Sequence, residues 1–349
     1  MSIGSPPVVA AERDGTVHAL DPASGEVRWR VDDVDATLTA GPARASDALL
    51  VATADGVVHG LDPADGETRW TVDEPAAAVR SPPTVADGVA YLGDDDGTVH
   101  AIEAATGDRR WSSPVSTGRV TGAPAVGDGR AFVPATDRTL YALDVADGET
   151  HWTFDEAIGP LRAGPALVDD LVLVGSDDRR LYAVSRGDGQ RRWAFDEPAG
   201  PLLAPPTVDG GVAYLGAWET LFAVEVDDGS RRWLTEFPTT GVDAAPTVAD
   251  GTVYAGGLSG ALHLVDAADG ESRGAVDVAG ARIVVAPVVA DDLVVVAADD
   301  GTVAGIDRAD REVHWEFTTP SSPIVGLLGP DAADDQMEAA APGRHGGGP

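Results

Sequence analysis

The sequence predicts an all-β fold: an eight-bladed β-propeller of four-stranded antiparallel blades, closed by a C-terminal strand that pairs into blade one. Three observations carry this prediction. A frame ending in Trp recurs at nearly constant spacing, the third strand of every copy is apolar on both faces, and the last apolar segment supplies a strand that the first copy lacks.

The repeat is visible when residues 17–29 are set against residues 58–70. The frame ends at Trp29, Trp70, Trp111, Trp152, Trp193, Trp233, Gly274 and Trp315, at intervals of 41, 41, 41, 41, 40, 41 and 41. A fixed period of this size marks stacked units that each pack only on their neighbours. It explains how 349 residues form one domain, expected over residues 1–330, where two would be usual. In the third copy, strand A follows Ser81-Pro82-Pro83, and Asp87-Gly88 turns into strand B, Val89-Ala90-Tyr91-Leu92. Asp96-Gly97 closes a hairpin into strand C at 98–102, and a turn over 103–107 leads to strand D, ending at Trp111. Asp-Gly favours such hairpins because both turn residues tolerate positive φ. Helix is excluded by β-branched residues and by the recurrence of Gly or Pro.

Strand C sets the stacking. Nine residues before the Trp column stand Leu20, Leu61, Ile102, Leu143, Val184, Val224, Val265 and Ile306. Twelve before it stand Val17, Val58, Val99, Leu140, Leu181, Leu221, Leu262 and Val303. An odd offset places the two columns on opposite faces of the strand, so both faces are buried. Nine residues after the Trp column, Leu38, Val79, Val120, Leu161, Leu202, Val242 and Ile283 lead into strand A, and Ile324 holds the same register. The chain begins within strand B of its first copy, at Pro7-Val8-Val9-Ala10. Residues 324–328 are therefore expected to close the ring and remove its open edges.

Charge constrains function. There are 58 acidic and 24 basic residues, every basic one Arg, for a net charge of -34. Such a surface repels itself at low salt. Its Arg-only, carboxylate-rich composition resembles that of haloarchaeal proteins. It carries no basic stripe for nucleic acid and is repelled by anionic membranes. There is no Cys, which excludes disulfides and thiolate sites. The first eleven residues hold no basic segment followed by an apolar core, and no apolar run approaches the ~18 residues of a membrane span. The expectation is a cytoplasmic monomer. Before the Trp column stands Arg or His (Arg28, Arg69, Arg110, His151, Arg192, Arg232, Arg273, His314). Eight before the Trp column the residue is acidic in seven copies and Ser185 in the other. Ion pairs or turn caps between strands C and D follow.

The frame Ala-Leu-Asp-x-x-x-Gly-Glu-x-x-Trp, as in residues 142–152, resembles the quinoprotein (PQQ-like) repeat, over roughly residues 8–328. That family includes outer-membrane assembly lipoproteins of the BamB type and PQQ-repeat proteins of haloarchaea. The resemblance implies that Trp29, Trp70, Trp111, Trp152, Trp193, Trp233 and Trp315 dock into the neighbouring blade. WD40 repeats have a similar period but require Asp after Trp, where this chain has Arg30, Thr71, Ser112, Thr153, Ala194, Leu234 and Glu316. The quinone-dependent dehydrogenases that share the repeat would imply PQQ, Ca²⁺, a catalytic Asp and adjacent Cys residues. Without Cys and without insertions, the chain reads as a non-catalytic scaffold for a protein or peptide partner, with no cofactor. Two other readings are a small-anion or metal-binding propeller that uses its channel and, third, a PQQ-dependent dehydrogenase.

Candidate binding residues are those that break the repeat. Ten residues after the Trp column stand Thr39, Arg80, Thr121, Arg162, Leu203, Asp243, Val284 and Val325, expected to face the central channel. Arg119 and Arg282 lie two positions earlier in their copies. The four Arg side chains could receive an anion or an acidic peptide, or could simply balance Asp243 and nearby carboxylates. Trp218 is the second departure: its hairpin lost one residue and reads Ala217-Trp218-Glu219. It suits a partner contact or a filler for the deletion. His18, His59, His100 and His263 share one column with Tyr141, Tyr182 and Phe222, a packing position spaced too widely for one metal. The Asp94-Asp95-Asp96-Gly97 turn lacks the alternating ligands of a Ca²⁺ loop. Gly274 predicts a looser seam between blades seven and eight, and residues 331–349 a disordered tail.

Overall fold

Turn chemistry sets the strand boundaries. In blade 3, Asp87 and Gly88 both take positive φ (48° and 75°) and connect strand A, Thr84–Ala86, to strand B, Val89–Gly93. Asp94 then accepts hydrogen bonds from the amides of Asp96 (3.0 Å) and Thr98 (2.9 Å), which closes the hairpin into strand C, Thr98–Glu103. Strand D is Arg109–Pro114. The computed structural model describes residues 5–330 except Asp33, Asp35, Glu74, Ala76, residues 238–240, Ala279, Pro320 and Ser321. The expected tail at 331–349 lies outside the described residues. Among them are thirty-two strands in eight four-stranded antiparallel sheets, and no helix is long and apolar enough to cross a membrane.

The ring closes as its sequence requires. Ile324–Leu328 forms strand A of blade 1 and pairs with Val8–Glu12, Val9 opposite Leu328 and Ala11 opposite Gly326. At the seam with blade 2, Gly326 meets Gly41 so closely that a Cβ on Gly326 would lie 2.2 Å from the Gly41 Cα. The core is divided into eight apolar clusters, one per seam. The column nine residues after Trp is buried throughout, from Leu38 to Ile324.

Strand C slips register beside the Trp column in every blade. In blade 3, Ala101 faces Trp111 and Ile102 faces Arg109, so Arg110 is the extra residue of a β-bulge. A bulge re-aims the side chain it carries. Here it turns the Arg onto the acid at the end of strand C: Arg28 onto Asp21 (2.8 Å), Arg69 onto Asp62 (2.6 Å), Arg110 onto Glu103 (2.5 Å), Arg232 onto Glu225 (2.6 Å) and Arg273 onto Asp266 (2.5 Å). In blade 5, Arg192 donates to Ser185 instead (3.3 Å).

Each docking Trp reaches the next blade. The indole N–H groups of Trp29, Trp70, Trp111, Trp152, Trp193 and Trp233 donate to the carbonyls of Pro63, Ala104, Val145, Arg186, Val226 and Ala267 at 2.8–3.2 Å. Trp315 completes the circle on Pro22 (3.0 Å). The ring lies on a glycine of the receiving blade; Gly107, with φ of 78°, would place a Cβ 2.7 Å from the Trp70 ring.

The seam between blades 7 and 8 is filled differently from the looseness expected at Gly274. Where the receiving blade would offer glycine, it has Arg311, with φ of 63°. The Arg311 guanidinium lies 3.6 Å from where a Cβ on Gly274 would stand, and donates to the Arg273 carbonyl. Arg308 adds a bridge across the same seam, to Asp250 and to the Tyr254 hydroxyl (3.3 Å). The Trp-on-Gly pair has been exchanged for a Gly-under-Arg pair. Gly274→Trp is expected to cost more stability in the wild-type chain than in the Arg311→Gly background, with a coupling of about 0.5–3 kcal/mol in a denaturation cycle. Additive effects would show that the two positions do not share one site.

Candidate functional site at the channel mouth

One face of the ring carries the D-to-A connections between blades and the B-to-C hairpins. There the residues that follow the buried column open onto a central cavity of about 530 Å³, lined by seven of the eight blades. Of the column expected to face the channel, Leu203, Asp243, Val284 and Val325 line this cavity. The other four turn elsewhere. Thr39 and Thr121 donate across their seams to the carbonyls of Val79 (2.5 Å) and Arg162 (3.3 Å), and Arg80 and Arg162 turn to carboxylates.

The four Arg side chains divide among three hairpins. Arg80 (3.0 Å) and Arg119 (3.8 Å) meet at Asp95. Arg162 pairs with Asp177 (2.7 Å) and Arg282 with Asp299 (2.8 Å). Each guanidinium has a carboxylate partner, yet their side chains remain 44–61% exposed.

Asp243 stands apart. It is half-buried in the cavity wall and accepts no hydrogen bond from the described residues. Burial pushes its carboxyl above the ordinary range, only partly offset by the charge of Arg282. The other ionic side chain of the wall is Arg44, which donates to the carbonyls of Pro330 (3.1 Å) and Pro7 (2.9 Å).

Trp218 sits in the two-residue turn between strand B, Val212–Ala217, and strand C, Thr220–Glu225, of blade 6. Its φ is 54°, a conformation rare for a bulky residue. One edge of the indole lies against Gly200, where a Cβ would meet it at 2.4 Å. The side chain is still 56% exposed. Ile158, on the connection into blade 5, and Leu203 and Val284 at the cavity are also exposed.

The residues of the His column engage structural partners, some within their own blade and some across a seam. His18 bonds Glu12 (2.5 Å) and His100 bonds Asp94 (3.0 Å), while the Tyr141 and Tyr182 hydroxyls donate to Asp137 and Asp178, both at 2.7 Å. Phe222 packs on Phe195 and His263 on Phe237. Burial opposes ionisation of Asp94, but its bonds from His100 and from the Thr98 and Asp96 amides outweigh it and hold the carboxyl below the ordinary range. Burial pushes the His263 pKa down.

These features define a closed eight-bladed propeller with a quinoprotein-type repeat. The sequence matches the PQQ-repeat family described as outer membrane protein assembly factor BamB, in overlapping windows at 13–118, 55–194, 157–236 and 217–341, and the chain belongs to that family. Among curated protein sequences nothing matches. Many solved structures share the fold, among them three that are similar over most of this chain. The computationally designed Ika8 protein has a TM-score of 0.78 at 19% identity, covering 86% of this chain and 93% of its own. BamB from Moraxella catarrhalis has a TM-score of 0.71 at 18% identity, with coverage of 82% and 89%. The quinohemoprotein alcohol dehydrogenase from Comamonas testosteroni has a TM-score of 0.71 at 16% identity, with coverage of 91% and 74%.

The cavity wall does not fit PQQ with its Ca²⁺. A tricarboxylate quinone and a divalent cation call for cations and carboxylates converging on one point. The described wall offers Asp243 alone and an Arg44 engaged with backbone carbonyls.

Asp243 gives the site a pH signature. Its raised folded pKa means that the folded state keeps this proton to higher pH than the unfolded chain. The cost of the charged form is absent below the unfolded value, grows as pH rises from the unfolded value through the folded one, and is complete above it. Asp243→Asn is expected to raise the unfolding midpoint at pH 7, and the gain should vanish near pH ~3. A midpoint difference independent of pH would show that this carboxylate is not strained by burial.

Proposed function

We propose that the chain is a non-catalytic scaffold that holds a protein or peptide partner on the face bearing the D-to-A connections and B-to-C hairpins. The observation that carries this reading is Trp218: an indole fixed in a left-handed turn, seated on Gly200 and open on its other side. Bulky residues in that backbone region are costly and gather where a surface is used. An exposed aromatic of this kind is a common anchor for partners, and Ile158, Leu203 and Val284 are further exposed apolar groups. The BamB-type family membership supports a scaffold over an enzyme, and the cavity wall's poor match to PQQ points the same way.

The four Arg side chains support a secondary role. All four are engaged by hairpin carboxylates, with Arg80 and Arg119 sharing Asp95, which reduces the net field available to an anion. Their exposure suits a polar rim around the apolar anchor. We also propose a halophilic setting, in which salt screens the net charge of -34.

The test uses recovery in molar KCl followed by measured affinities for the recovered partner. Trp218→Ala should weaken binding about thirty-fold, the effect of losing a hot-spot aromatic, while Arg80→Ala/Arg162→Ala should change it a few-fold at most. Unchanged affinity in both variants would place the partner on another surface. The thermal midpoint of the wild-type chain should climb steadily with KCl; a flat response would remove the halophilic reading.

A further inference from the structure

Among the described residues, the Asp243 carboxylate at the channel mouth accepts no hydrogen bond. The loop-face carboxylates Asp94, Asp95, Asp137, Asp177, Asp178 and Asp299 each accept at least one bond from an Arg, His, Tyr, hydroxyl or amide. Asp243 accepts none from the described residues. Its column holds no other acid: the equivalent positions are Thr39, Arg80, Thr121, Arg162, Leu203, Val284 and Val325. A half-buried carboxylate without a partner costs stability, and burial holds its pKa up. The cation whose charge acts on it, Arg282, has its guanidinium on Asp299 (2.8 Å).

The walls decide which ligand suits this charge. Leu203 of blade 6 and Val284 of blade 8 flank Asp243 in the same column, and Ala204, Ala244 and Ala245 continue the lining inward. A hard metal ion requires several oxygen ligands, and these side chains provide one carboxylate. An anion would be repelled by it. A cationic head carried on an apolar stem satisfies both the carboxylate and the walls. The cavity, at about 530 Å³, is of the size that accepts small organic ligands, and the net charge of -34 raises the local concentration of cations.

We propose that the channel mouth binds an alkylammonium group on a short apolar stem, with Asp243 as its counter-ion and Leu203 and Val284 holding the stem. The site does not depend on Trp218 or on the loop-face partner. Such a group could come from a free amine or from a lysine side chain of a peptide.

Calorimetry at one fixed KCl concentration tests this with hexylammonium chloride, 1-hexanol, sodium hexanoate and CaCl₂, and with an uncharged-ended Ala-Ala-Lys-Ala-Ala peptide. Hexylammonium or the peptide should bind with one-site saturation, and whichever binds identifies the source. Hexanol should bind about ten-fold more weakly than hexylammonium, the loss of one charge-assisted contact, and hexanoate and CaCl₂ should give no heat. Asp243→Asn, which removes a strained charge and should fold well, ought to reduce hexylammonium to the affinity of hexanol. Arg282→Gln should tighten hexylammonium, and Trp218→Ala should leave it unchanged. Equal binding of hexanol and hexylammonium, saturable binding of CaCl₂, or unaltered affinity in Asp243→Asn would overturn the proposal. Saturable hexylammonium binding alongside a partner indifferent to Trp218→Ala would sink the loop-face reading and leave this site standing.

Discussion

Seven of the eight seams of this ring are each held by one indole laid on one glycine. The contact has two halves. The indole N–H satisfies a carbonyl at the C-to-D turn of the following blade, as Trp111 does with Val145. The ring then covers a glycine whose positive φ and absent Cβ allow it to approach, as at Gly148. A Cβ at these glycines would fall 2.4–2.7 Å from the nearest side-chain atom of the blade before, closer than a packed interior accommodates. The Gly-Glu-x-x-Trp frame is thus a socket and a plug four residues apart, the socket facing the preceding blade and the plug the following one. The one blade without a plug, at Gly274, is followed by the one without the glycine socket, at Arg311. That paired change is what two positions sharing one site would produce.

The same economy governs charge. The bulge in strand D spends an Arg on the acid beside it in five blades, and the hairpin acids take up Arg80, Arg119, Arg162 and Arg282. Further acids, such as Asp144 and Asp307, cap the amides of their own turns. Bulge and hairpin thus account for part of the Arg content, and the excess of acid is left to solvent and its ions.

The fold was legible because the chain aligns with itself: eight copies expose each buried column, and the absence of strand A from the first copy points to its replacement at residues 324–328. The bulge was less visible, since only a register slip separates Arg110 from a pairing position. The site was legible in part. Leu203, Asp243, Val284 and Val325 reach the cavity as their column implies, but Arg80 and Arg162 turn away because Asp95 and Asp177 lie within reach on the hairpins. That geometry is a property of folded neighbours and not of the column. The Arg311 substitution was readable four residues before the Trp column, where the other copies have glycine.

The departures that alter a seam or shorten a hairpin are not spread evenly around the ring. Trp218 and Leu203 belong to blade 6, Asp243 to blade 7, and Arg282 and Val284 to blade 8, while the exchanged Gly274–Arg311 contact and the Arg308–Asp250 bridge join blades 7 and 8. Blades 1 to 5 keep the docking Trp, the glycine beneath it and the full-length hairpin. A repeat that must close on itself tolerates changes in its connections far better than changes in its seams. Where a seam does change, the compensation must come from the blade across it, as Arg311 supplies. The side of the ring that carries the unpaired carboxylate and the exposed indole is therefore also the side where the stacking itself was rebuilt. One arc of an otherwise uniform scaffold has become chemically distinct without disturbing the closure on which all eight blades depend.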